Sequence, residues 1–162
     1  MITHIRKAMP EDLDSIYLMG IDVWSDGSTE KEYLSECRSS PKYKKGEWFV
    51  LVDSQDNPIS SLITYMLAEN TIGIGSIATP KSLRKQGYAS ELIRGVISHY
   101  ESKEQTRIFF LFADIESKFY EKFEFISLPI EYQKYKSSTC MVRCSDFKEL
   151  LSQSAFKPPT YF

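Results

Sequence analysis

Between a strand-like run ending at Thr79 and a helix-like run near Ala89 lies the segment Arg84-Lys85-Gln86-Gly87-Tyr88-Ala89. A strand that turns through a short loop into a helix leaves several backbone N–H groups unpartnered at the helix start. Groups of this kind converge on a phosphate oxygen. Gly87 lets the backbone approach an anion with no Cβ in the way, Ala89 nearly so, and Arg84 and Lys85 bring positive charge. Taken alone, the same residues also read as a plain helix start with two solvated cations. Other phosphate-binding signatures are missing, since there is no G-x-x-x-x-G-K-[ST] and Gly73-Ile74-Gly75 lies within a strand instead of opening a helix.

The elements that must position this loop are legible in outline. Residues 2–7 read as a strand, and Pro10, Glu11 and Asp12 open a helix over 10–23 with apolar residues at Leu13, Ile16, Tyr17 and Ile21. Asp26-Gly27-Ser28 breaks the chain, and Thr29 with Glu32 has the capping-box spacing of a second helix through Cys37. Arg38–Gly46 reads as a polar loop. Then WFVLV and ISSLITYML form a hairpin about Asp56-Asn57-Pro58, and TIGIGSIAT follows the turn Glu69-Asn70. Gly73 and Gly75 weaken that third strand unless something approaches it closely.

Leu92, Ile93, Val96, Ile97 and Tyr100 carry helical spacing over 89–102, and RIFFLF (107–112) is apolar enough for a central strand covered on both faces. Asp114 can cap a short helix bearing Phe119, Tyr120 and Phe123. FISL and STCMVRC are the remaining strands, a last helix runs over 146–153 with Ser145 as cap, and AFKPPTYF is an extended tail laid on the surface. Helices alternating with strands around a mixed sheet make the fold α/β or α+β.

A chain of 162 residues, 42% hydrophobic and 14% aromatic, has material for one core and is read as a single domain over 1–162. With 20 Lys and Arg spread among 22 Asp and Glu, no basic block argues for nucleic acid or a membrane surface as partner. The first twenty residues lack the apolar stretch of a signal peptide or membrane helix, so a cytoplasmic location is expected. Cys37, Cys140 and Cys144 have no CxxC spacing and only His4 and His99 could join them, so reduced thiols and no metal site are expected. On a strand, Cys140 and Cys144 share a face and serve as small apolar fillers.

R-x-x-G-x-A after a strand resembles the acyl-CoA motif Q/R-x-x-G-x-G/A of the GNAT N-acetyltransferases. Phe119-Tyr120-Glu121-Lys122-Phe123-Glu124-Phe125 resembles that family's F-Y-E-K-x-G-F segment. Both stand in the family's order within β-α-α-β-β-β-α-β-α-β-β, over roughly residues 2–144. The resemblance implies the GNAT fold, a mixed sheet of about seven strands flanked by helices. It implies acetyl-CoA as co-substrate, held by Arg84, Lys85, Gln86, Gly87, Tyr88, Ala89 and Ser90, with the thioester on main-chain groups of Ile77, Ala78 and Thr79. Asp114 lies one residue from where relatives turn an Asn toward the CoA arm.

Tyr120 matches the family's general-acid tyrosine, while Trp24, Asp26 and Tyr33 fall where relatives shape the acceptor site. A neutral amine attacking the thioester calls for a base, and the strand before the loop has no carboxylate, which leaves Glu69, Asp22 and Asp26 as candidates. The implied reaction is acetyl transfer to a primary amine, for which a small-molecule acceptor suits the aromatic entry segment. A protein N-terminus or lysine is the other acceptor class, and an acyl-CoA-binding sensor or scaffold without turnover is the alternative to an enzyme. The resemblance also points to a homodimer through the last strands.

Overall fold

The computed structural model describes residues 1–162. Seven strands form one mixed sheet in the order β1-β2-β3-β4-β5-β7-β6. The chain divides into two compact units, Met1–Tyr65 with Ser76–Ser98, and Met66–Gly75 with His99–Phe162.

In the first unit, β1 (His4–Lys7) pairs antiparallel with β2 (Glu47–Val52), and β2 pairs antiparallel with β3 (Pro58–Ala68). The hairpin turn forms because Asp53 Oδ1 accepts from the amides of Gln55 and Asn57, both at 2.9 Å. Arg6 ties three pieces together, donating to Asp12 at 2.7 Å and to Asp56 at 2.9 Å. Asp12, expected only to favour a helix dipole, is a buried carboxylate that also accepts from the Met9 amide at 2.7 Å.

The expected helix over 10–23 is three pieces: a 3-10 turn at Pro10–Asp12, α1 (Leu13–Leu18) and α2 (Ile21–Trp24). Gly20 interrupts it with φ −105° and ψ 8°, outside the helical region. Helix α3 (Glu30–Ser39) begins at the expected capping box, with Thr29 Oγ1 accepting from the Glu32 amide at 3.2 Å. The segment read as a loop contains α4 (Pro41–Lys45), capped by Ser40 and stacked through Tyr43 on Tyr17 at 5.7 Å. Helix α5 (Tyr88–Lys103) buries Leu92, Ile93, Val96 and Ile97.

In the second unit, the first part of β4 (Thr71–Ala78) pairs parallel with β5 (Ile108–Ala113) from Thr71↔Ile108 to Ile74↔Leu111. Antiparallel to β5 lies β7 (Thr139–Arg143), with β6 (Ile126–Ser127) beyond it. Phe110, Leu128, Cys140, Val142 and Leu150 form a core cluster joined by Cys144, Phe112 and Phe162, so both cysteines are the apolar fillers expected of them. Helix α7 (Phe147–Ser152) is capped by Asp146, not Ser145: Asp146 Oδ1 accepts from the Glu149 amide at 2.9 Å. The tail leaves a turn at Ser154-Ala155 and then forms neither helix nor strand, and its last ring lies against one strand glycine. A Cβ on Gly73 would sit 2.6 Å from Phe162 Cζ, so the ring lies on β4 as it does because Gly73 has no side chain.

Glu124 stands at φ 67° where the family segment has Gly. A side chain in this left-handed region costs about 1–2 kcal/mol. Against that, Glu124→Gly gives up a 3.0 Å ion pair with Arg143 and adds freedom to the unfolded chain, each about 0.5 kcal/mol. Arg143 keeps Glu101 at 2.8 Å and the Phe123 carbonyl at 3.0 Å. Glu124→Gly should therefore raise the melting temperature by about 1–2 °C. A lower melting temperature in a scanning calorimeter would mean that the ion pair outweighs the backbone term.

Candidate active site

The loop follows a stretch of β4 that has lost its β5 partner. Registered pairing of β4 with β5 stops at Ile74↔Leu111, whereas β4 continues to Ala78. Ser76 has φ 45°, a left-handed residue inside a strand, which redirects Ile77, Ala78 and Thr79. Pro80 leads into a 3-10 turn at Lys81–Leu83, closed by the Leu83 amide on the Pro80 carbonyl at 2.8 Å.

Lys85 and Gly87 then take φ values of 67° and 83°, and α5 opens at Tyr88. The Glu91 amide donates to the Gly87 carbonyl at 3.0 Å, so the amides of Tyr88, Ala89 and Ser90 precede any helical acceptor. A Cβ built on Gly87 meets nothing within 4 Å. Space for an anion and bare donors to hold it therefore occur together, as the fit of a phosphate requires. Gln86 Oε1 accepts from the Tyr88 hydroxyl at 3.2 Å, which holds those two side chains to each other.

Arg84, read from sequence as a phosphate ligand, spends its donors on the protein. Its Nε donates to the Thr79 carbonyl at 2.8 Å, Nη1 and Nη2 to the two Asp22 oxygens at 2.7 Å each, and Nη2 also to the Met19 carbonyl at 3.2 Å. Four of the five guanidinium N–H groups are thus engaged. The same pair holds the Asp22 carboxyl below its usual range, through the Arg84 hydrogen bonds first. A carboxylate committed in this way makes a poor general base.

Tyr120 lies on the short helix α6 (Lys118–Glu121), buried, with Phe119 packed edge-on at 5.0 Å. Burial, and secondarily the Asp114 charge, push its phenol up to about 12. Asp114 does not cap this helix. Ser117 occupies the N-cap position, and Asp114 Oδ2 accepts instead from the Tyr161 hydroxyl at 3.0 Å. Tyr161 is held in turn by its amide, which donates to the Tyr135 hydroxyl at 3.0 Å, and by Phe112 at 5.1 Å.

Of the acceptor-side residues, Trp24 is partly exposed with its ring against Gly20, and Asp26 is exposed at φ 50°. Tyr33 is buried, and its phenol is pushed up by burial and then by Cys37. Glu69 lies in the turn before β4, where its carbonyl accepts from the Thr71 hydroxyl at 3.3 Å. Sequence reasoning missed Ser60. It is fully buried in β3, donates to the Ala78 carbonyl at 3.0 Å and lies 2.9 Å from Thr79 Oγ1. Two adjacent serines in an otherwise apolar strand were the available signal.

A family model described as acetyltransferase (GNAT) family matches residues 9–125. Among curated proteins none matches this sequence. Among solved structures, the PaiA N-acetyltransferase of Thermoplasma acidophilum, in complex with coenzyme A, is similar at 14% identity and a TM-score of 0.67, covering 89% of this chain and 99% of that one. A dodecameric spermidine N-acetyltransferase of Vibrio cholerae is similar at 15% identity and a TM-score of 0.64, covering 88% and 93%. The ribosomal-protein-S18-alanine N-acetyltransferase of Escherichia coli gives 16% identity, a TM-score of 0.64, and coverage of 88% and 94%.

Proposed function

The chain belongs to the GNAT acetyltransferase family, and on that premise we propose that it transfers an acetyl group from acetyl-CoA to a primary amine of a small molecule by direct attack. The observation that carries this reading is the start of α5, with bare amides at Tyr88, Ala89 and Ser90 beside the open space at Gly87. Those amides take the pyrophosphate and Lys85 supplies charge. Arg84, with its donors committed, braces the loop instead of binding the phosphates.

Main-chain N–H groups of Ile77, Ala78 and Thr79 receive the negative charge that develops on the thioester oxygen as the amine nitrogen bonds to the carbonyl carbon. When the C–S bond breaks, Tyr120 gives its phenolic proton to the departing thiolate. The nitrogen loses its extra proton to water, since Asp22 is engaged by Arg84. Trp24, Asp26 and Tyr33 shape the acceptor side, and Asp114 borders the CoA arm. The three free cysteines suit a reducing compartment, hence the cytoplasm, and the whole chain is taken to work as one acyltransferase domain, with a homodimer through its last strands.

Thiol release from acetyl-CoA, followed across a panel of polyamines, amino acids and short peptides, tests the reading. Small amines should support steady release, well above the rate with peptides. CoA binding without release for any amine would favour the sensor reading, and release confined to peptides would move the acceptor to proteins.

A further inference from the structure

The brace under the end of β4 assigns a role to Ser60, and it rests on the proposed thioester site. Ser60 Oγ lies within bonding distance of two oxygens, the Ala78 carbonyl at 3.0 Å and Thr79 Oγ1 at 2.9 Å. A serine hydroxyl has one proton and a carbonyl has none. Ser60 must therefore donate to Ala78, and the Thr79 hydroxyl donates to Ser60.

The Ala78 carbonyl and the Thr79 N–H belong to one rigid trans peptide plane, so fixing the first fixes the direction of the second. The next carbonyl, that of Thr79, is held separately by Arg84 Nε at 2.8 Å, and Arg84 is itself locked by both Asp22 oxygens. Two consecutive carbonyls are thus tied by side chains, one from β3 and one from the loop ahead, just after Ser76 has turned the strand out of its regular course.

We propose that Ser60 is a positioning residue for acyl transfer: by holding the Ala78 carbonyl it aims the Thr79 N–H at the thioester oxygen. Preorganisation of this kind stabilises the transition state because the donor needs no reorientation as charge appears. Ser60 touches neither the loop Lys85–Gly87 nor the reacting atoms, so its loss should change the acyl end and spare the phosphate end.

The test is isotope-edited infrared spectroscopy of acetyl-CoA labelled with carbon-13 at the thioester carbonyl, bound to the full chain. Binding to the wild-type protein should lower the carbonyl stretching frequency relative to the free thioester. Ser60→Ala should lose most of that lowering and about tenfold in kcat, with CoA affinity by calorimetry within about twofold of wild type. Ser60→Cys, which keeps volume and a weak donor, should fall between the two and guards against a folding defect in the alanine variant. A folded Ser60→Ala protein with the wild-type frequency and kcat overturns the role of Ser60 alone. Wild-type protein that binds acetyl-CoA with no frequency change overturns the thioester site and the role of Ser60 with it.

Discussion

Replacing Gly87 by Glu should weaken CoA binding at least 100-fold, about 2.7 kcal/mol, while the protein remains folded. The backbone at Gly87 has φ 83°, so any side chain carries a cost of about 1–2 kcal/mol there. Space is not the difficulty, because a Cβ at this position meets no protein atom within 4 Å. A carboxylate beside the positive end of α5 also recovers part of the backbone cost through the helix dipole. Stability should thus change little, whereas the new carboxylate would accept from the amides of Tyr88, Ala89 and Ser90 and repel a phosphate. Gly87→Ala separates the two effects: it has the same backbone cost without the charge, and should weaken binding by much less. Calorimetric titration with CoA measures both. Wild-type affinity in Gly87→Glu would remove the cofactor site from this loop.

That the loop could be located before the fold was known reflects local chemistry. A strand end, a Pro-led turn, a glycine and an amphipathic helix are consecutive in the chain, and each constrains the next through backbone geometry. The Thr29–Glu32 capping box is local in the same sense, and α3 begins where it dictates. Helix α4 escaped because PKYKK lacks apolar periodicity and its stability comes from Tyr43 stacking on Tyr17. The Ser40-Pro41 pair at its start was a readable signal of the same kind as Pro10.

Pairings across long separations were illegible. Arg84 and Asp22 are 62 positions apart and Ser60 and Ala78 are 18 apart. Arg84 therefore looked like a free cation, and Asp22 like a free carboxylate. Likewise Asp114 sits just ahead of a short helix and invites a cap assignment, yet its partner is Tyr161, 47 positions away. The bare amides at the start of α5 were thus written in the sequence, and the side chains that brace the loop before them were not.

Tyr120→Phe should lower kcat by about 10²–10³-fold with little change in CoA affinity. The substitution keeps the ring that packs on Phe119 at 5.0 Å and removes only the hydroxyl, so the fold is spared. The pH dependence distinguishes an acid from a packing residue. The phenol is pushed up to about 12, by burial first and the Asp114 charge second, so it stays protonated throughout the range in which an amine acceptor becomes neutral. The sign follows: kcat/KM should rise with pH as the amine deprotonates and should show no fall from Tyr120 until pH approaches 12. A phenol this weak gives up a proton unfavourably to a solvated thiolate, whose parent thiol has a reference pKa of about 8.5. The mismatch shrinks where water is excluded, because desolvation raises the pKa of a thiol as it does that of a phenol. Proton transfer is then timed to C–S cleavage, and a proton-donor role predicts a solvent deuterium isotope effect on kcat that Tyr120→Phe loses. Wild-type kcat in the phenylalanine variant, with the isotope effect intact, would assign the proton to another donor.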